Sequence, residues 1–233
     1  MSVLTLRARL ADYNRLMHFP LPLCVISFAT LGAVIAPTVY LDRLVWTYLI
    51  VFTSLCLASY SFDELKGRPL RTRIPERELQ VLGWAGLVFS LLAGFYLAYR
   101  ISPVLLAWIP PSVLVIVGYN QELFQGRFHN STVFSIGWGG IPTLGSYFLQ
   151  TLTLSVTAIL TSFATIMFSL AIWTLNHEFR PDFTAFKDLT LKLDGDVVAA
   201  RRQARRRIWN ITKMLCYTIA LFTLAASYYR FFP

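Results

Sequence analysis

Seven apolar runs, each near the length a bilayer demands, decide what this chain can fold into: Phe19–Tyr40, Leu44–Phe62, Leu79–Tyr99, Pro103–Tyr119, Thr132–Leu149, Leu152–Leu175 and Ile208–Tyr229. A hydrocarbon core of about 30 Å needs roughly 20 consecutive apolar residues per helix. Backbone groups find no water there, so each run must close its own hydrogen bonds as a helix. The expectation is an all-α polytopic transmembrane bundle of about seven spans, one integral membrane domain over residues 1–233. Composition agrees: 56% of the residues are hydrophobic and 14% are charged, where a soluble domain carries roughly a quarter charged. The fourth and fifth runs hold the helix breakers. Pro110 and Pro111 interrupt the fourth, and Gly137, Gly139, Gly140, Pro142 and Gly145 crowd the fifth. Such residues are tolerated where helices pack closely or a cavity opens, and both readings stay open.

The formal charge is +9, yet the basic residues lie between apolar runs rather than on a water-facing surface. The expected partner is therefore a lipid bilayer and not a nucleic acid. Seven spans place seventeen of the 21 lysines and arginines on the N-terminal side. Arg43, Arg100 and Arg230 fall on the other side, and Lys213 falls inside the last run. Positive loops stay in the cytoplasm, so the N-terminus and the charged loops are expected there and the C-terminus outside. That orientation opposes a rhodopsin-like receptor, whose N-terminus is external. Lys213 sits about one and a half turns into its run, where snorkelling to the interface explains it. Residues 1–17 are amphipathic with no signal-peptide core, and they are expected to lie on the membrane surface. Cys24, Cys56 and Cys216 all fall in apolar runs, with no zinc or disulfide spacing.

Hydrophilic chemistry collects in two loops on the cytoplasmic side, residues 63–78 and 176–207. Each opens with carboxylates at a span end and continues with bases: Asp63 and Glu64, then Lys66, Arg68, Arg71 and Arg73; Glu178 and Asp182, with Arg180 between them and Lys187 after. Carboxylates at a membrane mouth can hold Mg²⁺, a hard ion that prefers one or two carboxylates plus phosphate oxygens. Arginine and lysine beside them neutralise phosphate charge. Two such loops facing each other would clamp a diphosphate above an apolar cavity. The simpler reading is a pair of solvated connectors whose arginines only set topology.

Acidic segments after the second and sixth spans resemble the UbiA superfamily of intramembrane prenyltransferases and terpene cyclases. "LRTRIPERELQ" is similar to the family's Arg-Pro-rich phrase, with Arg73, Ile74 and Pro75 in the corresponding places. "EFRPD", Glu178 to Asp182, keeps the acid-x-x-x-acid spacing, and Lys187 and Thr190 follow it. "VGYNQELFQGRFHN" resembles the tyrosine-bearing exit of the family's fourth helix. In the first motif the family's i, i+4, i+8 positions read Ser59, Asp63 and Gly67 here; Pro181 interrupts the second; and the chain has seven runs where typical members have nine.

The resemblance implies an isoprenoid diphosphate as substrate, with Asp63, Glu64, Glu178 and Asp182 as Mg²⁺ ligands; of these, Asp63, Glu178 and Asp182 are the catalytic candidates. Lys66, Arg68, Arg73, Arg180 and Lys187 would take the diphosphate charge. Asp188, Asp194 and Asp196 are possible substitute acids, although "DGD" reads first as a turn. Tyr60, Tyr119, Asn120, Asn176 and His177 are candidates for the substrate pocket, where aromatic faces can stabilise a cation. Interfacial placement and bundle packing explain such residues as well. Three functions follow from these expectations: prenyl transfer to an acceptor that the sequence does not name, terpene cyclisation, or non-catalytic lipid binding and scaffolding.

Overall fold

Every regular element among the described residues is helical, as the apolar runs require. The structure, a computed structural model, describes residues 3–177 and 197–232. Helix α1 (Val3–Leu16) meets α2 (Leu21–Val34) through a bend of 42° measured between 6–16 and 21–34. Helix α3 (Leu41–Gly67) follows, then α4 (Glu76–Arg100), α5 (Pro103–Tyr119), α6 (131–151), α7 (Val156–His177) and α8 (Val197–Phe231). Four described helices are long and apolar enough to cross a bilayer: α3, α4, α7 and residues 203–231 of α8. The bent pair α1–α2 makes a fifth if it counts as one broken span, while α5 is a shorter apolar helix.

Helix α4 presents Val81, Trp84, Val88, Phe89, Leu92 and Phe95 outward. A contiguous exposed stripe of that size suits hydrocarbon and not water. The chain is an integral membrane protein.

Local chemistry explains the element ends. Pro103 opens a 3₁₀ turn, and Pro110 and Pro111 occupy the first turn of the short α-helical stretch Ile109–Val113. A missing N–H is harmless there because no carbonyl awaits it. Asn130 caps α6, its side-chain oxygen accepting from the Val133 N–H at 3.0 Å, which satisfies one of the otherwise unbonded first-turn donors.

Helix α2 forms the axis of the bundle, with 11 of its 14 residues buried. It packs on the 141–151 half of α6 and on α8. Gly32 permits the first contact: a Cβ there would stand 2.0 Å from the Thr143 carbonyl oxygen. Nearby, the Thr143 and Thr165 hydroxyls lie 2.9 Å apart and 2.7 and 3.0 Å from the Gly139 carbonyl oxygen, so their two protons are shared among these three oxygens and the Ser162 carbonyl.

The two ends of the bundle differ in chemistry. At one end Arg43 donates to the Leu149 and Gln150 carbonyls at 2.9 and 3.1 Å and covers the Tyr40 ring. Arg230 donates to the Ala36 carbonyl at 3.1 Å and also to Pro37. Each cation therefore closes the C-terminal end of a neighbouring helix, where carbonyls lack partners and the helix dipole is negative. The opposite end carries the 68–75 loop and the α5–α6 connector, whose Glu122 meets Lys66 of α3 at 3.7 Å.

Candidate functional site

An elongated cavity of about 220 Å³ lies among α3, α4, α5 and α6, with Val25 of α2 on its wall. Apolar side chains dominate the wall, interrupted by hydroxyls at Thr47, Ser54, Ser59, Ser90, Ser112 and Ser146. Three of the enclosing helices carry a π-helical stretch: Phe52–Ser59 in α3, Leu114–Tyr119 in α5 and Ile136–Gly140 in α6. Each stretch contributes wall residues, including Ser54 and Ser59, Ile116 and Tyr119, and Gly137 and Trp138. A π turn widens the helix and re-aims side chains, and such turns recur at functional sites. Along α3 the wall runs from Thr47 to Ser59, roughly 18 Å at 1.5 Å per residue.

Ser59, Tyr119 and Asn120 form the cavity end nearest the charged loop. The Asn120 amide donates to Ile116 O at 2.7 Å, and Tyr119 stacks on His129 at 4.3 Å. Asp63 lies one turn beyond Ser59 on α3, half-buried and within electrostatic range of both the Tyr60 and Tyr119 hydroxyls. Tyr60 is not on the cavity wall. It is buried in the core with Leu16, Val25 and Ala29, between the His18 and Trp138 rings at 6.0 and 6.4 Å, and its hydroxyl has no hydrogen-bond partner among the described residues.

The loop leaving α3 is closed on itself. Helix α3 continues to Gly67, beyond the expected span end at Phe62. One residue on from Asp63 the helix has turned by about 100°, so Glu64 points inward and is fully buried. Its carboxylate accepts from Leu70 N at 2.9 Å, Thr72 N at 2.7 Å and Thr72 Oγ1 at 2.8 Å. Arg68, in the left-handed region at φ 51°, ends the helix. Its guanidinium donates to the Thr72 and Ile74 carbonyls at 3.3 and 2.7 Å and lies 4.0 Å from Glu76. Arg71 is also left-handed, at φ 54°.

Two other first-loop bases, Lys66 and Arg73, have partners across the surface. Lys66 pairs with Glu122, and Arg73 is exposed, 4.0 Å from the buried Asp12 of α1. Helix α1 is held down by a bidentate bond from Arg9 to Glu78 at 2.7 and 2.9 Å, joined by the Tyr13 hydroxyl. These donors, Tyr13 first and Arg9 second, hold the Glu78 carboxyl below its ordinary range.

From the second motif, Asn176 donates to Ile172 O at 2.8 Å and to Thr212 Oγ1 at 3.1 Å, tying α7 to α8. His177 stacks on Trp173 at 4.4 Å. Glu178, Arg180, Asp182 and Lys187 lie outside the described residues, as do Asp188, Asp194 and Asp196. Tyr119 and Asn120 thus come together with Ser59 at one cavity end beside Asp63, whereas Glu64 and Arg68 are engaged within their own loop. Among the described residues no group of three or more His, Cys, Asp or Glu is arranged to hold a metal ion.

Several wall residues escaped the sequence reading. Ser54, Ser90, Ser112, Ser146 and Phe134 look like ordinary apolar-run residues, and only the glycine-rich fifth run hinted at an opening there. Compared with family models, with curated proteins and with solved structures, the chain matches none.

Proposed function

We propose that this protein transfers an isoprenoid chain from a prenyl diphosphate to an acceptor within the membrane. In this reading all seven apolar helices span the bilayer in a UbiA-like arrangement, with the N-terminus and charged loops cytoplasmic. One observation supports it most: an apolar cavity ringed by three π-helical stretches ends at Ser59, Tyr119 and Asn120, one helical turn from Asp63. An engineered cavity of about 150 Å³ holds six-carbon benzene. By proportion, 220 Å³ holds on the order of nine carbons, the inner part of a prenyl chain.

The chain's own residues then have definite tasks. The cavity wall excludes water and orients the hydrocarbon, so that the allylic carbon stops at the Tyr119 end. Cleavage of the allylic C–O bond leaves its electron pair on the diphosphate. The acceptor's electron pair forms the new bond and the acceptor loses a proton. Tyr119, Phe134 and Trp138 offer ring faces to the transient cation. Lys66 and the second loop's Arg180 and Lys187 balance the departing charge. Mg²⁺ as cofactor would be held by Glu178 and Asp182 alongside Asp63 and would neutralise charge on the departing diphosphate.

The test is diphosphate release from geranyl, farnesyl and geranylgeranyl diphosphates by the purified protein, with and without Mg²⁺. Release that falls by at least about 100-fold in Asp63→Asn, in line with loss of a transition-state charge contact, is the expected result. Release without an acceptor, yielding a cyclic product, would identify a terpene cyclase. No release from any substrate by a folded protein overturns the enzymatic proposal. It would favour a lipid-binding or scaffold role, for which one observation speaks: Glu64 and Arg68 already satisfy their own loop.

A further inference from the structure

We propose that the cavity end farthest from the charged loop binds an acceptor oxygen of a lipid-soluble ligand, of the carbonyl class, and that the Ser146 hydroxyl donates to it. Hydroxyls inside membrane helices ordinarily return their proton to a carbonyl three or four residues back. Four on this cavity wall do so. Thr47 donates to Arg43 O at 2.9 Å, Ser54 to Val51 O at 3.3 Å, Ser90 to Gly86 O at 2.8 Å and Ser112 to Trp108 O at 2.8 Å. Ser59 and Ser146 do not, and of these two Ser146 is the buried one: it is 2% exposed, lines the cavity, and its hydroxyl has no hydrogen-bond partner among the described residues.

A buried donor without an acceptor is costly in a protein interior. A purely hydrocarbon ligand would leave that cost in place, whereas a carbonyl oxygen would remove it. Beside Ser146 the wall is apolar and close-packed. Gly145 carries no side chain, and the Trp108 ring stands 3.6 Å from where its Cβ would be. Ser146 lies one turn before Gln150, whose carbonyl accepts from Arg43, and roughly 13 Å along α6 from Gly137. The site is therefore separate from the Asp63 end, and it stands whether or not the ligand also carries a diphosphate.

The test uses two ten-carbon probes, n-decane and 2-decanone, with the full-length protein in nanodiscs. Each competes with bromodecane, which quenches tryptophan fluorescence on entering the cavity beside Trp108 and Trp138, and concentrations are expressed as mole fraction in the lipid. Wild-type protein is expected to release bromodecane at about fivefold lower 2-decanone than n-decane, the effect of one net hydrogen bond. In Ser146→Ala the two probes become equal. In Ser112→Ala, which removes a hydroxyl already bonded to the helix, the fivefold preference persists. Equal potency in wild type, a preference surviving in Ser146→Ala, or no displaceable bromodecane would each overturn the proposal.

Discussion

Replacing Glu64 by alanine would unfasten the loop after α3. The carboxylate is fully buried and receives three hydrogen bonds, from Leu70 N, Thr72 N and Thr72 Oγ1. Removing it leaves two backbone N–H groups without acceptors, each costing about 1–3 kcal/mol, while the Thr72 hydroxyl can turn elsewhere. The gain from no longer burying a charge offsets part of that cost. The net effect on the loop is about 2–4 kcal/mol. At about 1.4 kcal/mol per factor of ten, the amides of residues 70 and 72 should exchange with deuterium on the order of 100-fold faster. Glu64→Gln keeps one carbonyl oxygen and turns an NH₂ group toward a donor, so it should fall between wild type and alanine. Exchange should be unchanged in α7, which does not touch this loop's bonds. Wild-type exchange at 70 and 72 in Glu64→Ala would refute the reasoning, because the carboxylate would then not be what orders the loop.

Two further outcomes are expected. Gly32→Ala drives a methyl to 2.0 Å from the Thr143 carbonyl oxygen, backbone against backbone, so α2 and α6 must separate; the cost is about 1–3 kcal/mol or more, read as a lower unfolding midpoint in detergent. Glu78 has a depressed folded pKa, so its hold on α1 is fully present above its unfolded value of 4.5 and is lost as pH falls through the folded value. Deuterium uptake by residues 6–16 should therefore rise on acidification below that range. Glu78→Gln is the control: it should raise uptake at neutral pH and flatten the acid response.

The helices were legible because hydrocarbon leaves the backbone no alternative: each apolar run holds a helix, even the proline-broken fourth, though the first narrows to Leu21–Val34 and only four described helices, or five with the bent pair, are long and apolar enough to cross a bilayer. The run lengths did not reveal how α5 is built, since a 3₁₀ turn, one α turn and a π stretch together read as one apolar segment. The π stretches have no residue signature, so the cavity they surround was visible only indirectly, through the glycines of the fifth run. Tyr119 and Asn120 were found by their place at a span end, and they do line the cavity. The inward turn of Glu64 follows from helical geometry. Its engagement by the loop does not, because that needs Arg68 and Arg71 in the left-handed region, which no glycine announces there. Tyr60 is an aromatic whose burial the sequence could not assign to wall or core.

The clasps at the two ends of the bundle have a mechanical consequence. At the Arg43 end, guanidinium groups grip backbone carbonyls of neighbouring helices, and Gln150 takes the Tyr40 N–H at 2.7 Å. Those contacts hold main chain to side chain and resist salt. At the other end Lys66 and Glu122 meet at 3.7 Å with side chains 45% and 41% exposed, a pairing that ions in solution screen. Salt in the surrounding water therefore sets how firmly α3 holds the α5–α6 connector through Lys66 and Glu122, while the Arg43 end stays riveted whatever the ionic strength.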